Sequence, residues 1–516
     1  MTREIYHHKR QEKFFSTSEL PVTDDIQSNE NVSIARKAGR GVLWNFLAFG
    51  LSKGTLLLTT SILARLLTKE DFGLVAVAVV AISYLSVVKD LGLGLALIQR
   101  RDDVEEAANT VFTINTLLGA ALSLLILPLA PLFAAYFQEP QVTPVLRSLG
   151  LSFAINALGA THINLLMRDL DYRRKFIPDM GNTLIKGILS ISLAFTGFGV
   201  WALVFGQLAG ALTSVALAWT VKPWRPRLAV NFTIARQLAQ FGASITGVDI
   251  LTVFVENLSY IIIGRLLGVA ALGVFSISYR LPEMLIVGNL WIIASVLFPT
   301  FSSIQDKPEE LRRGFLVSIR LVQLIVMPLC LGLFAAADPI VRVFFGEQWL
   351  ETIPLLRILS FYALIYSVGY HAGDVYKAIG RPDILFKLNI MSAAILAPAL
   401  FIGSQFGLIG FAWGYLTAIV FDQAITLYVA SRFIKVSFLD ILSEMKPAAA
   451  GILFMLPAAF GVLTLTQTLS PFLQLPLVVL AGAAGYLVAV WQFEGSSLLR
   501  LAHVVLAAKS ETKGNI

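Results

Sequence analysis

Fourteen predominantly apolar stretches follow one another along this chain, each about as long as a helix needs to be to cross hydrocarbon. They are centred near residues 54, 85, 124, 156, 188, 210, 254, 286, 328, 366, 395, 419, 457 and 482. No other feature constrains the fold as tightly. A bilayer offers no water to backbone N–H and C=O groups, so each segment must close its own hydrogen bonds as a helix. The expected fold class is an all-α polytopic membrane protein with about 14 transmembrane helices. Charged residues make up only 14% of the chain, against roughly 25% in a soluble globular protein, and the deficit runs its whole length. Some reversals are short: "TGFGVW" (196–201) and "SQFGLIG" (404–410) carry glycines that permit a sharp turn.

The basic residues set an orientation. With a cytosolic N-terminus, the inner segments hold 30 of the 40 Lys and Arg, the outer segments six and the helices four. The inner set includes Arg36, Lys37 and Arg40, Arg100 and Arg101, Lys222, Arg225 and Arg227, and Arg312 and Arg313. That asymmetry predicts an even number of spans with both termini cytosolic. It also explains the net charge of +7 without nucleic acid, since the cations lie in short clusters between apolar runs. Cys330 is the single cysteine, so no internal disulfide can form. Residues 1–38 are polar and mixed in charge, which predicts a mobile cytosolic tail and not a cleavable signal peptide.

Three phrases occur twice. "ILARLLTKEDFG" (62–73) is echoed by "IIGRLLGVAALG" (262–273), so Arg65, Leu66, Leu67 and Gly73 return as Arg265, Leu266, Leu267 and Gly273. "PVLRSL" (144–149) returns as "PLLRIL" (354–359), and "FGVWALVFGQL" (198–208) as "FGLIGFAWGYL" (406–416). The order is collinear, which indicates a duplication. Each copy holds six spans, and an even number returns the chain to its starting side. The copies therefore form a parallel repeat about an axis along the membrane normal. The expected organisation is the tail (1–38), one six-helix lobe (39–240), a second (241–437), and two further helices with a short cytosolic tail (438–516). Two lobes facing each other across a cavity supply the moving parts of alternating access. Arg65 and Arg265 end the first helix of each lobe on the outer side, where they either snorkel to the interface or meet substrate.

Ionisable groups within spans are costly and mark functional candidates. At about 1.5 Å per residue, Lys53 and Lys186 fall near the midplane and Lys89 nearer the cytosolic side. All three belong to the first copy. In the second copy Asp249 and Asp422 fall near the midplane, Glu256 lies two turns from Asp249 on the same face, and Asp374 follows His371. Arg280 and Glu283 share a face and can neutralise one another. Two readings of this polarity are open. Either Lys53 or Lys186 pairs with Asp249 or Asp422 and locks the lobes, or a cationic cavity of Lys53, Lys89, Lys186 and Arg280 holds an anionic head group. In the second reading Asp249, Glu256, Asp374 and Asp422 carry the coupling ion, H⁺ or Na⁺.

"DLGLGLALIQRRD" (90–102), "RDLDYRRKF" (168–176) and "GFGVWALVFGQL" (197–208) resemble the Wzx-like polysaccharide transporters of the multidrug/oligosaccharidyl-lipid/polysaccharide flippase superfamily. The likeness is to lipopolysaccharide and exopolysaccharide exporters of the colanic-acid-exporter type, and it runs from about Arg40 to the end of the twelfth helix. It implies fourteen helices in two lobes and a polyprenyl-diphosphate-linked glycan as substrate. That lipid would be turned from the cytosolic to the outer leaflet of the bacterial inner membrane, for delivery to polysaccharide polymerase and chain-length machinery. Independently, a diphosphate bearing sugars cannot cross roughly 30 Å of hydrocarbon without a wet, cationic passage. Arg173, Arg174 and Lys175, in the cytosolic loop of "RDLDYRRKF", either collect the anionic lipid at the inner surface or serve topology alone.

The rivals are a peptidoglycan-precursor flippase, an ion-coupled drug exporter and a membrane polymerase or ligase. A cationic first lobe disfavours cationic drugs. The outer connections are short, the longest running from about Phe345 to Pro354, and no metal-ligand spacing, phosphate-binding glycine loop or nucleophile–base pair is present. The expectation is a transporter without cofactor, not an enzyme.

Overall fold

The computed structural model describes residues 50–90 and 92–511, with some helical stretches, among them 239–249 and 493–511, in backbone only. The expected tail (1–38) lies outside the described residues. The chain is helical throughout: α1 (50–66), α2 (Lys69–Asp90), α3 (Leu93–Gln99), α4 (Val104–Phe137), α5 (Val142–Arg168), α6 (Tyr172–Phe195) and α7 (Val200–Val221). Then follow α8 (Phe232–Leu266), α9 (Gly268–Pro282), a π-helical turn (Glu283–Val287), α10 (Gly288–Ser303), α11 (Pro308–Ala335) and α12 (Ala337–Phe344). The remainder is α13 (Thr352–Gly369), α14 (Ala372–Ala378), α15 (Pro382–Ser404), α16 (Gly407–Ile434), α17 (Phe438–Leu465) and α18 (Pro471–Glu511). Each expected span centre falls within a helical stretch.

Eleven helices among the described residues are long and apolar enough to cross a membrane. The described part of α1, together with α6 and α8, stands outside that set, while a count of fourteen remains compatible with the helices seen. The exceptions have a physical reason. α6 carries Lys175, Asp179 and Lys186, and α8 carries Arg236, Asp249, Glu256 and Arg265. Large apolar side chains stand exposed along the helices, Leu58, Leu117, Leu124 and Leu132 among them, as a lipid-facing surface requires.

Packing follows the repeat. α5 lies against α2, α4 and α7, with α6 on α7, while α13 lies against α9, α11 and α16, with α15 on α8 and α16. α2 joins the two groups by packing on α8 and α9, and α17 packs on α11 and α18. One apolar core runs through both groups.

Each echo in the sequence corresponds to an equivalent place in the fold. Gly199 and Gly407 stand at the starts of α7 and α16 with φ of +52° and +74°, a backbone that favours glycine. Gly206 and Gly414 let those helices approach their neighbours, since an added Cβ would lie 2.9 Å from the Lys186 carbonyl oxygen and 2.5 Å from that of Ala399. At the crossing of α2 and α9 the two copies meet reciprocally. A Cβ on Gly73 would lie 1.8 Å from the Val269 carbonyl oxygen, and one on Gly273 would lie 1.9 Å from that of Lys69. Residues 69 and 269, like 73 and 273, are 200 apart, so each copy presents the same patch to the other. A local two-fold relation has this signature.

The repeated arginines belong to that junction. Arg65 donates to the carbonyl oxygens of Val343 (2.6 Å) and Arg342 (3.3 Å) at the end of α12. Arg265 sits over the Tyr136 ring near the end of α4, at 5.6 Å. Each therefore reaches a helix end in the other copy. Trp349, fully buried, donates to the Ala64 carbonyl at 2.7 Å, Gln348 donates to the same oxygen, and Lys69 pairs with Glu351 at 3.0 Å. The bonds from Trp349 and Gln348 satisfy a carbonyl that the end of α1 leaves open, and all of these contacts tie the copies together at this end of the bundle.

Candidate functional site

The deep cations converge where the two copies face each other. On α6, Lys186 is held by the glycines of α7, and a Cβ on Gly210 would lie 3.0 Å from the Lys186 Cβ. Its ammonium donates to Gln207 Oε1 at 2.8 Å. Arg280, from α9 of the second copy, lies close enough for their charges to repel one another. The guanidinium Nε of Arg280 is buried without a hydrogen-bond partner. On α1, Lys53 reaches the π-helical turn, where its Nζ lies 4.0 Å from Glu283 Oε1. Gly288 makes the space: a Cβ there would stand 3.4 Å from that Nζ. Single π turns inside α-helices are frequent at functional sites, and this one interrupts the helix that carries Arg280.

Glu283 thus pairs with Lys53 across the copies, and among the described residues no ion pair joins it to Arg280. Spacing along one helix suggested the local partner, whereas the π turn gives Glu283 a different direction. A hydrated anion between these cations would meet charge-assisted donors.

The acids occupy other surroundings. Asp422, buried on α16, accepts from Ser392 of α15 and from Gln423 Nε2 at 3.0 Å. Beside it, the Oε1 atoms of Gln423 and Gln323 are buried without partners, and Gln323 Nε2 donates to Ser367 Oγ at 2.9 Å. This is an oxygen-rich, polar cluster. Glu256 is exposed on α8 and near Tyr366 and Tyr370. Asp374, almost fully buried, is held by His371 at 3.2 Å and Lys377 at 3.5 Å, both within one turn. Asp249 lies on α8 at a position whose side chain falls outside the described residues. Among those described, no group of three or more His, Cys, Asp or Glu is placed to hold a metal ion.

Lys89 stands apart from Lys53 and Lys186, in a cavity between α2, α5 and α7. The cations of the loop between α5 and α6 are partly engaged. Arg174 pairs with Asp171 at 3.4 Å and Lys175 with Asp179 at 2.6 Å. Arg173 is exposed.

Two features escaped the sequence reading. Gln207 carries no charge and so gave no signal, although it lies one residue after Gly206 on the face turned to α6. A tyrosine column also runs through the second copy. Tyr362 stacks on Tyr366 at 5.9 Å and Tyr366 meets Tyr370 at 5.5 Å, with Tyr415 against Tyr362 at 4.3 Å and Tyr279 at 6.0 Å. The 362/366/370 spacing was legible as one helix face; its union with Tyr279 and Tyr415 required the fold.

Known proteins share this architecture and sequence. The chain is similar to lipopolysaccharide biosynthesis protein WzxC of Escherichia coli (strain K12), 27% identical over 412 residues that cover 77% of this chain and 82% of the relative. It is similar to the succinoglycan biosynthesis transport protein ExoT of Rhizobium meliloti (strain 1021), 26% identical over 72% of this chain and 75% of the relative. The solved structure of the lipid II flippase MurJ in an inward closed conformation superposes with a TM-score of 0.69, covering 89% of this chain and 100% of that one at 16% identity. That likeness shows a common fold. The model of the family described as "Polysaccharide biosynthesis protein" matches residues 62–354, more than half of the 516, and the chain belongs to that family.

Proposed function

We propose that this protein is a flippase that moves a polyprenyl-diphosphate-linked oligosaccharide from the cytosolic to the outer leaflet of the bacterial inner membrane. The observation that carries the reading is the meeting of Lys53, Lys186 and Arg280 from both copies at their common face. A diphosphate is the anion that several fixed cations within hydrocarbon suit best, because long-range attraction does not demand one sugar geometry. Relatives named for lipopolysaccharide and succinoglycan biosynthesis support a glycan cargo for surface polysaccharide.

Transport proceeds by alternating access, with residues 39–240 and 241–437 as moving lobes and 438–516 adjoining them. Both termini are cytosolic, so the Arg65 end is the outer one, and its cross-copy bonds hold that end together in this conformation. Arg173, Arg174 and Lys175 gather the lipid at the inner surface. Glu283 occupies Lys53 until the diphosphate displaces it. Asp422, with Asp249, Glu256 and Asp374, carries the coupling ion, H⁺ or Na⁺. The work is conformational, without catalysis or cofactor, and the product passes to polymerase and chain-length machinery.

The test is to quantify polyprenyl-diphosphate glycans by mass spectrometry in cells with and without the protein, alongside surface polysaccharide. The expected result is accumulated lipid-linked glycan with lost surface polymer. Unchanged levels of both, in a strain with no second copy, would overturn the reading. Accumulated peptidoglycan precursor would reassign the cargo.

A further inference from the structure

Between α7 and α8 the chain reads "KPWRPRLAVN" (222–231) and forms no helix. Pro223 and Pro226 fix their φ angles and remove two backbone donors. Buried polar side chains of α4 take up the backbone instead. Asn109 Oδ1 accepts from the Arg227 amide at 2.7 Å, Thr113 donates to the Ala229 carbonyl at 3.2 Å, and Thr110 accepts from the Asn231 amide at 3.1 Å. Trp224 packs against Phe112 at 6.0 Å, and its carbonyl oxygen lies 3.2 Å from His162 Nε2. The segment is thus a strap fastened to the first copy from Trp224 to Asn231. Thr113 and Phe137 of α4 are 24 residues apart, about 36 Å along a helix, and hydrocarbon is about 30 Å thick. Counted from the Phe137 end, the strap lies at the level of the head groups on the opposite side.

At that level the strap and the start of α8 present apolar tips together with arginines. Leu228 is 78% exposed and Phe232 is 83% exposed, and Arg225, Arg227 and Arg236 in the same stretch are exposed as well. Phe232 and Arg236 lie four residues apart, on one face of α8. The helix end itself is packed, since Ile234 and Leu238 are buried in one apolar cluster with α3, α4 and α5. Apolar tips held out by a fixed backbone cost free energy in water and are stabilised at the boundary of head groups and acyl chains. Guanidinium groups beside them suit phosphate oxygens. Two acids at the strap are already engaged: Glu106 accepts from Asn231 Nδ2 at 2.8 Å and Asp169 pairs with Lys222 at 2.5 Å. The positive charge of the three arginines therefore favours an anionic surface over a zwitterionic one. We infer that residues 222–236 are a docking surface for anionic phospholipid, with Leu228 and Phe232 entering the acyl boundary and Arg225, Arg227 and Arg236 on the phosphates. The docking does not depend on transport; only its assignment to the inner leaflet rests on the proposed orientation.

The experiment uses full-length protein carrying Cys330→Ala, in nanodiscs of phosphatidylcholine alone or mixed with phosphatidylglycerol. A nitroxide attached to Leu228→Cys or to Phe232→Cys is read by power-saturation EPR. In the mixed nanodiscs, relaxation by oxygen should exceed relaxation by a water-soluble nickel chelate, as it does inside a bilayer. The reverse order at both positions puts the strap in water and overturns the docking. Native mass spectrometry then measures retained lipid. Wild type should keep phosphatidylglycerol in preference to phosphatidylcholine. The combined variant Arg225→Gln, Arg227→Gln, Arg236→Gln should cut that preference at least about fivefold while eluting as a single species on size exclusion. An unchanged preference overturns the proposal. Other occupants have their own signatures. A label shielded from both reagents, in a species of twice the mass, would give the surface to a second copy of the chain. Polyprenyl diphosphate that displaces phosphatidylglycerol at about a hundredth of its concentration would give it to the cargo. Either result overturns the phospholipid assignment. Protein that docks as expected yet moves no lipid-linked glycan supports the strap and defeats the transport reading alone.

Discussion

Lys186 is an ammonium with three donors, and one of them goes to the neutral amide of Gln207 at 2.8 Å. A phosphate oxygen would make a stronger, charge-assisted bond. Such bonds contribute about 1.5–3 kcal/mol, and tenfold corresponds to about 1.4 kcal/mol. Lys186→Met and Lys53→Ala are each expected to slow translocation by ten- to a hundredfold, with protein abundance near normal, in a proteoliposome flipping assay. Wild-type rates in both variants would remove the cationic site. Asp422 belongs to another chemistry, because Ser392 and Gln423 already supply neutral donors to its carboxylate. Asp422→Asn preserves the shape of that side chain and removes its charge. The variant should transport at a rate that no longer responds to an imposed H⁺ or Na⁺ gradient, and a retained response would exclude Asp422 from coupling. The identities of these residues were legible in the sequence, since charge within an apolar run is conspicuous. Their partners were not: i, i+3 spacing makes Arg280 a candidate partner for Glu283, whereas the π turn directs Glu283 to Lys53.

At the scale of elements, the repeated glycines hold helices at distances that side chains forbid. Gly73 and Gly273 face backbone carbonyls across the α2–α9 crossing, and backbone cannot yield as a flexible side chain would. Overpacking of this kind costs typically about 1–3 kcal/mol. Gly73→Ala and Gly273→Ala should each lower the melting temperature in detergent, followed by fluorescence-detected size exclusion. The double variant should fall short of the sum, because one backbone shift relieves both clashes. Gly461 on α17 provides the contrast, since a Cβ there meets nothing within 4 Å. Gly461→Ala should leave stability unchanged or raise it by up to about 1 kcal/mol through helix propensity. The helices themselves were readable from apolar runs of spanning length. The small interruptions, α3, α12, α14 and the π turn, were not, because they are set by how neighbouring helices cross and leave no period in the sequence.

For the whole molecule, the cross-copy bonds at the Arg65 end make a prediction about motion. The side-chain tips of Lys69 and Glu351 lie 3.0 Å apart, so cysteines at both positions can be bridged by a bifunctional methanethiosulfonate that replaces the two long side chains. With Cys330 changed to alanine, the Lys69→Cys, Glu351→Cys pair should stop translocation when bridged and recover it on reduction. Transport that continues in fully cross-linked protein would show that this end need not open. The sequence by itself determined the fold class, the sites of reversal and the existence of two copies. Hydrocarbon leaves the backbone one solution, and glycine at positive φ has no common substitute. Only the tertiary structure decided which deep charges belong together. It placed Lys53 and Lys186 at the common face with Arg280 and put Lys89 in a cavity with Asn156 and Asn164. Depth along a helix can be counted from sequence, but the direction of a side chain around the bundle depends on how helices cross. Those crossings are set by contacts between residues far apart in the chain, such as Gly73 against Val269.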